Sequence, residues 1–222
     1  MSKVFTATPE SFGIPSKKVI YMGQAVDVDR FFSLDLDHVN KKEEFKVITV
    51  GRITPIKNLD TLILAVDSIS KQIPIMIDII GSTATKDDLT YHETLKELIK
   101  TKGLQDRVRF VGSVANKDLP KVFATAQLSI NLCPTGGLDK TVLESMASGI
   151  PVLVSNTAFR EHMGIYAKDL MFAERDHDAL AELLGRLYVR KDLSEIGRFL
   201  QKQVRIKSSI NTLIKNIVDN IV

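Results

Sequence analysis

Short apolar runs alternate with amphipathic stretches from residue 45 onward, and this alternation leaves few folds open to the chain. The apolar runs are rich in β-branched residues, which is typical of buried strands, and the stretches between them have the spacing of helices with one apolar face. The predicted strands are 45–50, 75–80, 108–111, 128–132, 151–155 and 170–172. The predicted helices are 59–72, 86–102, 117–126, 140–148, 177–189, 192–205 and 208–221.

Strands that alternate with helices indicate βαβ units, a parallel sheet and right-handed crossovers. We therefore predict an α/β fold, a Rossmann-like three-layer domain over residues 46–190. Residues 1–45 are predicted as a linker or hinge segment with one short strand near residues 19–22. Residues 191–222 are predicted as C-terminal helices that pack on this domain or on an absent N-terminal domain.

Composition excludes several classes of protein. A net charge of +3, from 30 basic and 27 acidic residues, is too small an excess to indicate nucleic-acid binding. The single cysteine, Cys133, excludes an internal disulfide and a cysteine-built zinc site, and suits a reducing cytoplasm. The N-terminus has no apolar core of a signal peptide. Basic residues near the C-terminus form either a solvated face or a weak contact with an anionic membrane surface: Lys202, Arg205, Lys207 and Lys215.

Parallel sheets of this kind bind ligands at the carboxyl ends of their strands, so the loop after the first core strand is the first candidate. Gly51, Arg52 and Lys57 lie in that loop, and Asn58 is predicted to cap the helix that follows. Two cations are unfavourable at a helix N-terminus, and a bound diphosphate would offset their charge. The alternative is that both side chains simply point to solvent.

A glycine-containing loop at residues 134–140 joins another strand to its helix, and its backbone amides could cradle phosphate oxygens. Glu144, one turn into that helix, is a candidate acceptor for ribose hydroxyls. Two other interpretations of Glu144 stay open: a capping box with Thr141, and an ion pair with Lys140. Val114, after the strand at 108–111, lies where a planar base could meet the backbone or where the chain simply turns.

No metal or other cofactor is expected. His92, His162 and His177 have no spacing typical of metal ligands. Asp-x-Asp triplets occur at 27–29, 35–37 and 176–178, but none follows a core strand directly, so helix caps or solvated turns are favoured.

Taken in order, these loops resemble the C-terminal, donor-binding domain of retaining GT-B glycosyltransferases, known as group 1 or family 4. The resemblance covers roughly residues 17–220. The matching segments are Gly23-Gln24-Ala25-Val26-Asp27 with Phe31, Val50-Gly51-Arg52 with Lys57-Asn58, Arg109-Phe110-Val111-Gly112, and Leu143-Glu144-Ser145-Met146-Ala147-Ser148-Gly149-Ile150-Pro151-Val152.

The resemblance implies a role for each loop. Arg52 and Lys57 would be the catalytic cations, because they would stabilise the diphosphate leaving group. Glu144 would hold the ribose, and the backbone near Val114 would meet the base. The donor-binding residues implied in this way are Gly51, Val114, Gly137, Leu138, Asp139, Lys140, Thr141 and Glu144.

The sequence departs from the family pattern in two respects. The family has two glutamates separated by seven residues; the second is Glu144, but Gly136 stands at the first, so Asp139 is a candidate to hold sugar hydroxyls instead. An acceptor-binding domain of about 150–200 residues does not precede residue 45. We therefore expect the donor-binding half of a hexosyltransferase-like enzyme, inactive by itself, whose other half is an absent domain or another chain. The alternative is a non-catalytic nucleotide-binding or interaction module.

Overall fold

A computed structural model describes residues 3–32, 36–40 and 44–221. Its strands are β1 (Val4–Thr6), β2 (Val19–Tyr21), β3 (Phe45–Val50), β4 (Ile75–Ile80), β5 (Val108–Gly112), β6 (Leu128–Asn131) and β7 (Val152–Val154). Its helices are α1 (Val28–Phe31), α2 (Leu59–Ile69), α3 (Lys86–Thr101), α4 (Leu119–Phe123), α5 (Lys140–Ala147), α6 (Arg160–Met163), α7 (Ala167–Leu170), α8 (His177–Val189), α9 (Leu193–Lys207) and α10 (Ile210–Ile221).

The main sheet has five parallel strands in the order β5-β4-β3-β6-β7. It forms because strands β3, β4, β6 and β7 are largely apolar and buried, as is typical of strands covered on both faces, whereas the edge strand β5 is partly exposed. Helix α2 packs against α3 and α8, and α5 packs against α1 and α9. Right-handed crossovers place these two groups on opposite faces, which confirms the predicted α/β three-layer arrangement.

The direction of winding reverses between β3 and β6. From β3 the chain proceeds through β4 to β5 on one side, and then returns to place β6 on the other side of β3. Loops that leave the carboxyl ends of β3 and β6 therefore diverge and leave a crevice, which is where open α/β sheets bind ligands. The loops that carry Lys57 and Asp139 are the two that border this crevice.

The N-terminal segment is more ordered than the sequence indicated. Besides the predicted strand near residue 19, which is β2, the structure has β1, and the two pair in parallel from Val4↔Val19 to Thr6↔Tyr21. Phe31 of α1 is buried in the core, and Asp29 lies 2.9 Å from Arg205 of α9. Within the described residues, this segment packs along the domain.

One predicted strand is wrong. Residues 170–172 pair with the sheet only through a single bridge between Val154 and Met171, because α7 continues to Leu170. The strand predicted there was too short and too apolar to be distinguished from the end of a buried helix.

Candidate functional site

The loop after β3 starts with Gly51, whose backbone φ of 153° suits glycine. A Cβ added there would lie 3.3 Å from the Cε of Lys57, so the lysine stem packs directly on this glycine. Gly81, after β4, is more constrained, since an added Cβ would lie 1.8 Å from the carbonyl oxygen of Gly51. The ends of β3 and β4 thus come this close only because residue 81 is a glycine.

Asn58 does not cap α2 as the sequence predicted. It adopts a left-handed conformation with φ 45°, and its side chain makes no cap hydrogen bond. Asn58 Nδ2 instead donates to the carbonyl oxygen of Leu132, at 3.0 Å. Asparagine tolerates this backbone region, and the bond ties the β3 loop to the end of β6 across the crevice.

Lys57 and Asp139 meet across the same crevice. Lys57 Nζ lies 2.6 Å from Asp139 Oδ2, and both side chains are about four-fifths buried, with 19% and 18% exposed. Burial alone would raise the pKa of Asp139, but the Lys57 charge, hydrogen bonds from Lys57 and Asn131, and the Thr141 amide together lower it to about 2. The pKa of Lys57 is raised: burial lowers it, and Asp139 and then Cys133 more than compensate.

Arg52 has a different environment. Its side chain is exposed, and within the described part of the chain it makes no hydrogen bond or ion pair. Arg52 borders a cavity of about 320 Å³, here called the strand-end cavity. The remaining walls of this cavity are the ends of β3, β4 and β5 with the turns after them: Val50, Gly51, Ile80, Gly81, Ser82, Ala84, Ser113, Val114, Asn116 and Leu119.

Val114 lies at the wall of a cavity of the size that takes a small ligand. Glu144 is 7% exposed, and the capping box predicted as one alternative is absent because Asp139, not Thr141, is the N-cap of α5. Burial raises the pKa of Glu144, while Arg30 and Asn116 close to it act in the opposite direction. No ion pair joins Glu144 to Lys140 in the described structure.

The loop 134–139 is fixed by hydrogen bonds from outside it. Thr8 Oγ1 donates to the carbonyl oxygen of Gly136 at 3.3 Å, and Asn156 Nδ2 donates to that of Gly137 at 3.0 Å. The amide of Thr141 donates to Asp139 Oδ1 at 3.1 Å and is already used. The amides of Leu138 and Lys140 donate no hydrogen bond among the described contacts, so both are open donors.

A second cavity, of about 620 Å³ and here called the junction cavity, adjoins Leu138. It lies between the N-terminal segment and the helices α6, α9 and α10. Its walls include Thr8, Tyr21, Arg160, His162, Lys207 and Asn216. His162 Nε2 is 2.9 Å from Ser208 Oγ, and burial, with Lys207 nearby, lowers the pKa of His162 to about 4.

Some residues of the site could not be found from sequence. Arg30 reaches from α1 to the backbone carbonyl of Asn116 beside Glu144, and Asn131 donates to Asp139 Oδ2 at 3.0 Å. The only signal for Arg30 was its place next to Phe31 in the segment that resembles the family.

Two Asp-x-Asp triplets act as helix caps, as expected, with Asp27 accepting from the Arg30 amide and Asp176 from the Ala179 amide; Asp35 lies outside the described residues.

Two features are absent from the described residues. They contain no group of three or more histidine, cysteine or acidic side chains placed to hold a metal ion. None of their helices is both long and apolar enough to cross a membrane.

Comparison with known proteins places this site in a family. The family model of glycosyl transferases group 1 matches residues 34–196, so the chain belongs to that family. It is 30% identical over 197 residues to a GDP-mannose-dependent alpha-(1-6)-phosphatidylinositol monomannoside mannosyltransferase of Mycobacterium tuberculosis, covering 82% of this chain and 49% of the relative. It is 27% identical over 174 residues to the mannosylfructose-phosphate synthase of Agrobacterium fabrum, covering 74% of this chain and 38% of the relative.

Solved structures show the same fold. Anabaena HepE in complex with UDP superposes with a TM-score of 0.82 at 18% identity, over 94% of this chain and 58% of that one. The C-terminal domain of a group 1 glycosyl transferase, LpcC from Francisella tularensis, superposes with a TM-score of 0.72 at 20% identity, over 84% of this chain and 100% of that one. The chain thus matches a separate C-terminal domain of a GT-B protein, and it spans about half the length of the curated relatives or less.

Proposed function

We propose that these residues bind the nucleoside diphosphate part of a sugar donor, as one half of a retaining glycosyltransferase. The observation that carries the proposal is the crevice between β3 and β6. There Lys57 contacts the loop 134–141 through Asp139 and packs on Gly51, which borders the strand-end cavity together with Arg52. Positive side chains next to helix N-termini and free amides are suited to a diphosphate.

The proposed pose follows from the order of these groups. The diphosphate lies against Arg52, Lys57 and the open amides of Leu138 and Lys140. The base enters the strand-end cavity beside Val114, and Glu144 accepts hydrogen bonds from the ribose. The hexose then lies beside Gly137 and Leu138, at the mouth of the junction cavity. The names of the relatives and of the solved complexes, which mention GDP-mannose and UDP, support a nucleoside diphosphate donor of this kind.

The chemical contribution of the two cations is electrostatic. Negative charge grows on the diphosphate as the bond to the sugar breaks, and fixed positive groups in a partly dehydrated crevice stabilise that charge. We propose that they do this without a metal ion. A chelator should then leave the affinity for UDP or GDP unchanged, whereas a marked loss of affinity on chelation would show that a metal takes part.

Transfer to an acceptor is proposed to require a second half that lies beside the junction cavity. Helices α9 and α10 present an apolar stripe, Ile206, Ile210, Ile214 and Val218, each about half exposed, on which that half would pack. The relatives, of which this chain covers about half or less, support the existence of such a half. This chain alone should bind donor without turnover; robust sugar transfer by it alone would contradict this part of the proposal.

Calorimetric titration tests the donor assignment. UDP or GDP should bind, the corresponding monophosphates should bind more weakly, and NAD should not bind. Equal affinity for NAD, or no preference for the diphosphate over the monophosphate, would overturn the proposal. If the diphosphate binds but a complete two-half protein transfers no sugar, the chain is a nucleotide-binding module and not a catalytic one.

A further inference from the structure

The carboxylate of Asp139 has no free acceptor position. Oδ1 accepts the amide of Thr141 at 3.1 Å and the Thr141 hydroxyl at 3.0 Å. Oδ2 accepts Lys57 Nζ at 2.6 Å and Asn131 Nδ2 at 3.0 Å, and the Cys133 thiol donates to it at 3.5 Å. A carboxylate has about four lone-pair sites in total, and these contacts use them. A sugar hydroxyl could bind Asp139 only by displacing one of these donors.

Lys57, in contrast, still has an N–H group that can donate a hydrogen bond to a ligand. An ammonium carries three N–H donors, and in this crevice Asp139 accepts one of them and the sulfur of Cys133 a second. Its stem lies against Gly51, with the Cε 3.3 Å from the position of an added Cβ. Gly51 and Asp139 therefore hold the lysine from two directions, and at least one donor is left for a phosphate oxygen.

We infer that Asp139 is a positioning residue, whose carboxylate keeps the Lys57 ammonium in place and charged at the phosphate end of the site and takes no part in sugar recognition. This inference rests on the proposed diphosphate site. It also explains why this aspartate lies directly before α5, where one side chain caps the helix and holds Lys57 of the opposite loop in position.

The charge of Lys57 depends on this pair. Burial lowers the pKa of Lys57, and the groups that oppose it are Asp139, from the loop before α5, and Cys133, from the end of β6. Arg52, on the same loop as Lys57, is exposed to solvent. With the carboxylate removed, burial should dominate, so the pKa of Lys57 should fall below its ordinary value of 10.5.

Two measurements test the inference, both in a C133S background so that the thiol does not titrate. The first follows the ¹³Cε resonance of Lys57 against pH, without ligand, in the parent and in D139N. Asparagine keeps a helix cap of similar strength, so D139N removes the charge and not the fold. In this background the lysine should titrate lower in D139N than in the parent, and below 10.5. An unchanged midpoint would overturn the inference.

The second measures UDP and inorganic pyrophosphate affinity between pH 8 and 10, with K57M as the matched control. Each variant is compared with the parent at the same pH, so that titration of the ligand itself cancels. Relative to the parent, the affinity of D139N should fall about tenfold across this range as a charge-assisted hydrogen bond is lost, whereas that of K57M should be low at every pH and show no such further fall. If D139N binds pyrophosphate like the parent at every pH but loses selectivity among UDP-sugars, Asp139 is a sugar ligand. If the NMR midpoint shifts but the parent binds no diphosphate, the proposed function fails while the Lys57–Asp139 pair remains.

Discussion

Lys57 and Arg52 belong to one loop and carry the same charge, yet their side chains differ in burial and in ionic partners. Lys57 is mostly buried, packed on Gly51 and held by Asp139 at 2.6 Å. Arg52 is exposed, borders an open cavity and has no ionic partner among the described residues. The crevice therefore has one cation that is already held in position, Lys57, and one that must move to reach the ligand, Arg52. Only Lys57 is preorganised to stabilise the charge that grows in the transition state.

The largest effect should come from K57M. The substitution removes a cation and leaves the Asp139 carboxylate unpaired beside the phosphates, so diphosphate binding should weaken by about 3 kcal/mol. Calorimetric titration with UDP or GDP measures the loss, with K71M, on the surface at the opposite end of the sheet, as control. Adding D139N to K57M should recover part of the affinity. If the double variant binds no better than K57M, the two side chains are not coupled in the way described.

The Lys57–Asp139 pair should also appear in stability. Because the pKa of Asp139 in the folded protein is about 2, below its ordinary 3.8, its contribution is complete above pH 4 and is lost as the pH falls towards 2. Urea unfolding should therefore show the parent more stable than D139N by about 2 kcal/mol at pH 6, with the gap closing below pH 4. A difference in unfolding free energy that does not change with pH would show that the charge of Asp139 does not stabilise the folded protein.

R52A should weaken diphosphate binding by about 1.5 kcal/mol, which is less than K57M, because an exposed side chain without a partner loses more entropy on binding than one already held in place. Its contribution should also shrink in 0.5 M salt more than that of Lys57, since exposed charges are screened more strongly than buried ones. The ratio of parent to variant affinity at two salt concentrations measures this. Equal salt sensitivity for both cations would remove the distinction between them.

The smallest effect should come from E144Q, which separates ribose recognition from the two cations. Glutamine keeps an oxygen acceptor but not the charge, so the affinity for UDP or GDP should fall by about 1 kcal/mol. Inorganic pyrophosphate, which has no ribose, should bind the variant and the parent equally. A loss for pyrophosphate as large as for the nucleotide would place Glu144 with the phosphates.

The local sequence pattern predicted most strands of the sheet, but it did not predict contacts between residues that are far apart in the chain. Strands β3 to β7 could be found because each is a short apolar run between turn residues, and Arg52 and Lys57 because they follow such a run. The Lys57–Asp139 pair joins residues 82 positions apart, and it depends on β6 lying beside β3, which no local signal gives. The same holds for Asn58, whose predicted cap is replaced by a bond to Leu132.

The alternatives left open at Glu144 show a second limit. A helix cap at Thr141 was compatible with the spacing, but helix α5 starts at Lys140, as in the predicted range 140–148, and Asp139, two residues before Thr141, takes the cap. Sequence periodicity rarely fixes a helix start to a single residue, and a shift of one or two positions changes which carboxylate serves the backbone. That shift is what leaves Glu144 to face Arg30 and Asn116.

A crystal structure of the chain with UDP or GDP bound would test the central claim most directly. The account predicts the β-phosphate within hydrogen-bond distance of both the Arg52 guanidinium and the Lys57 ammonium, with the base in the strand-end cavity and the Lys57–Asp139 contact intact. A diphosphate bound away from Lys57, or one whose binding breaks that contact and turns Asp139 towards the ligand, would contradict it.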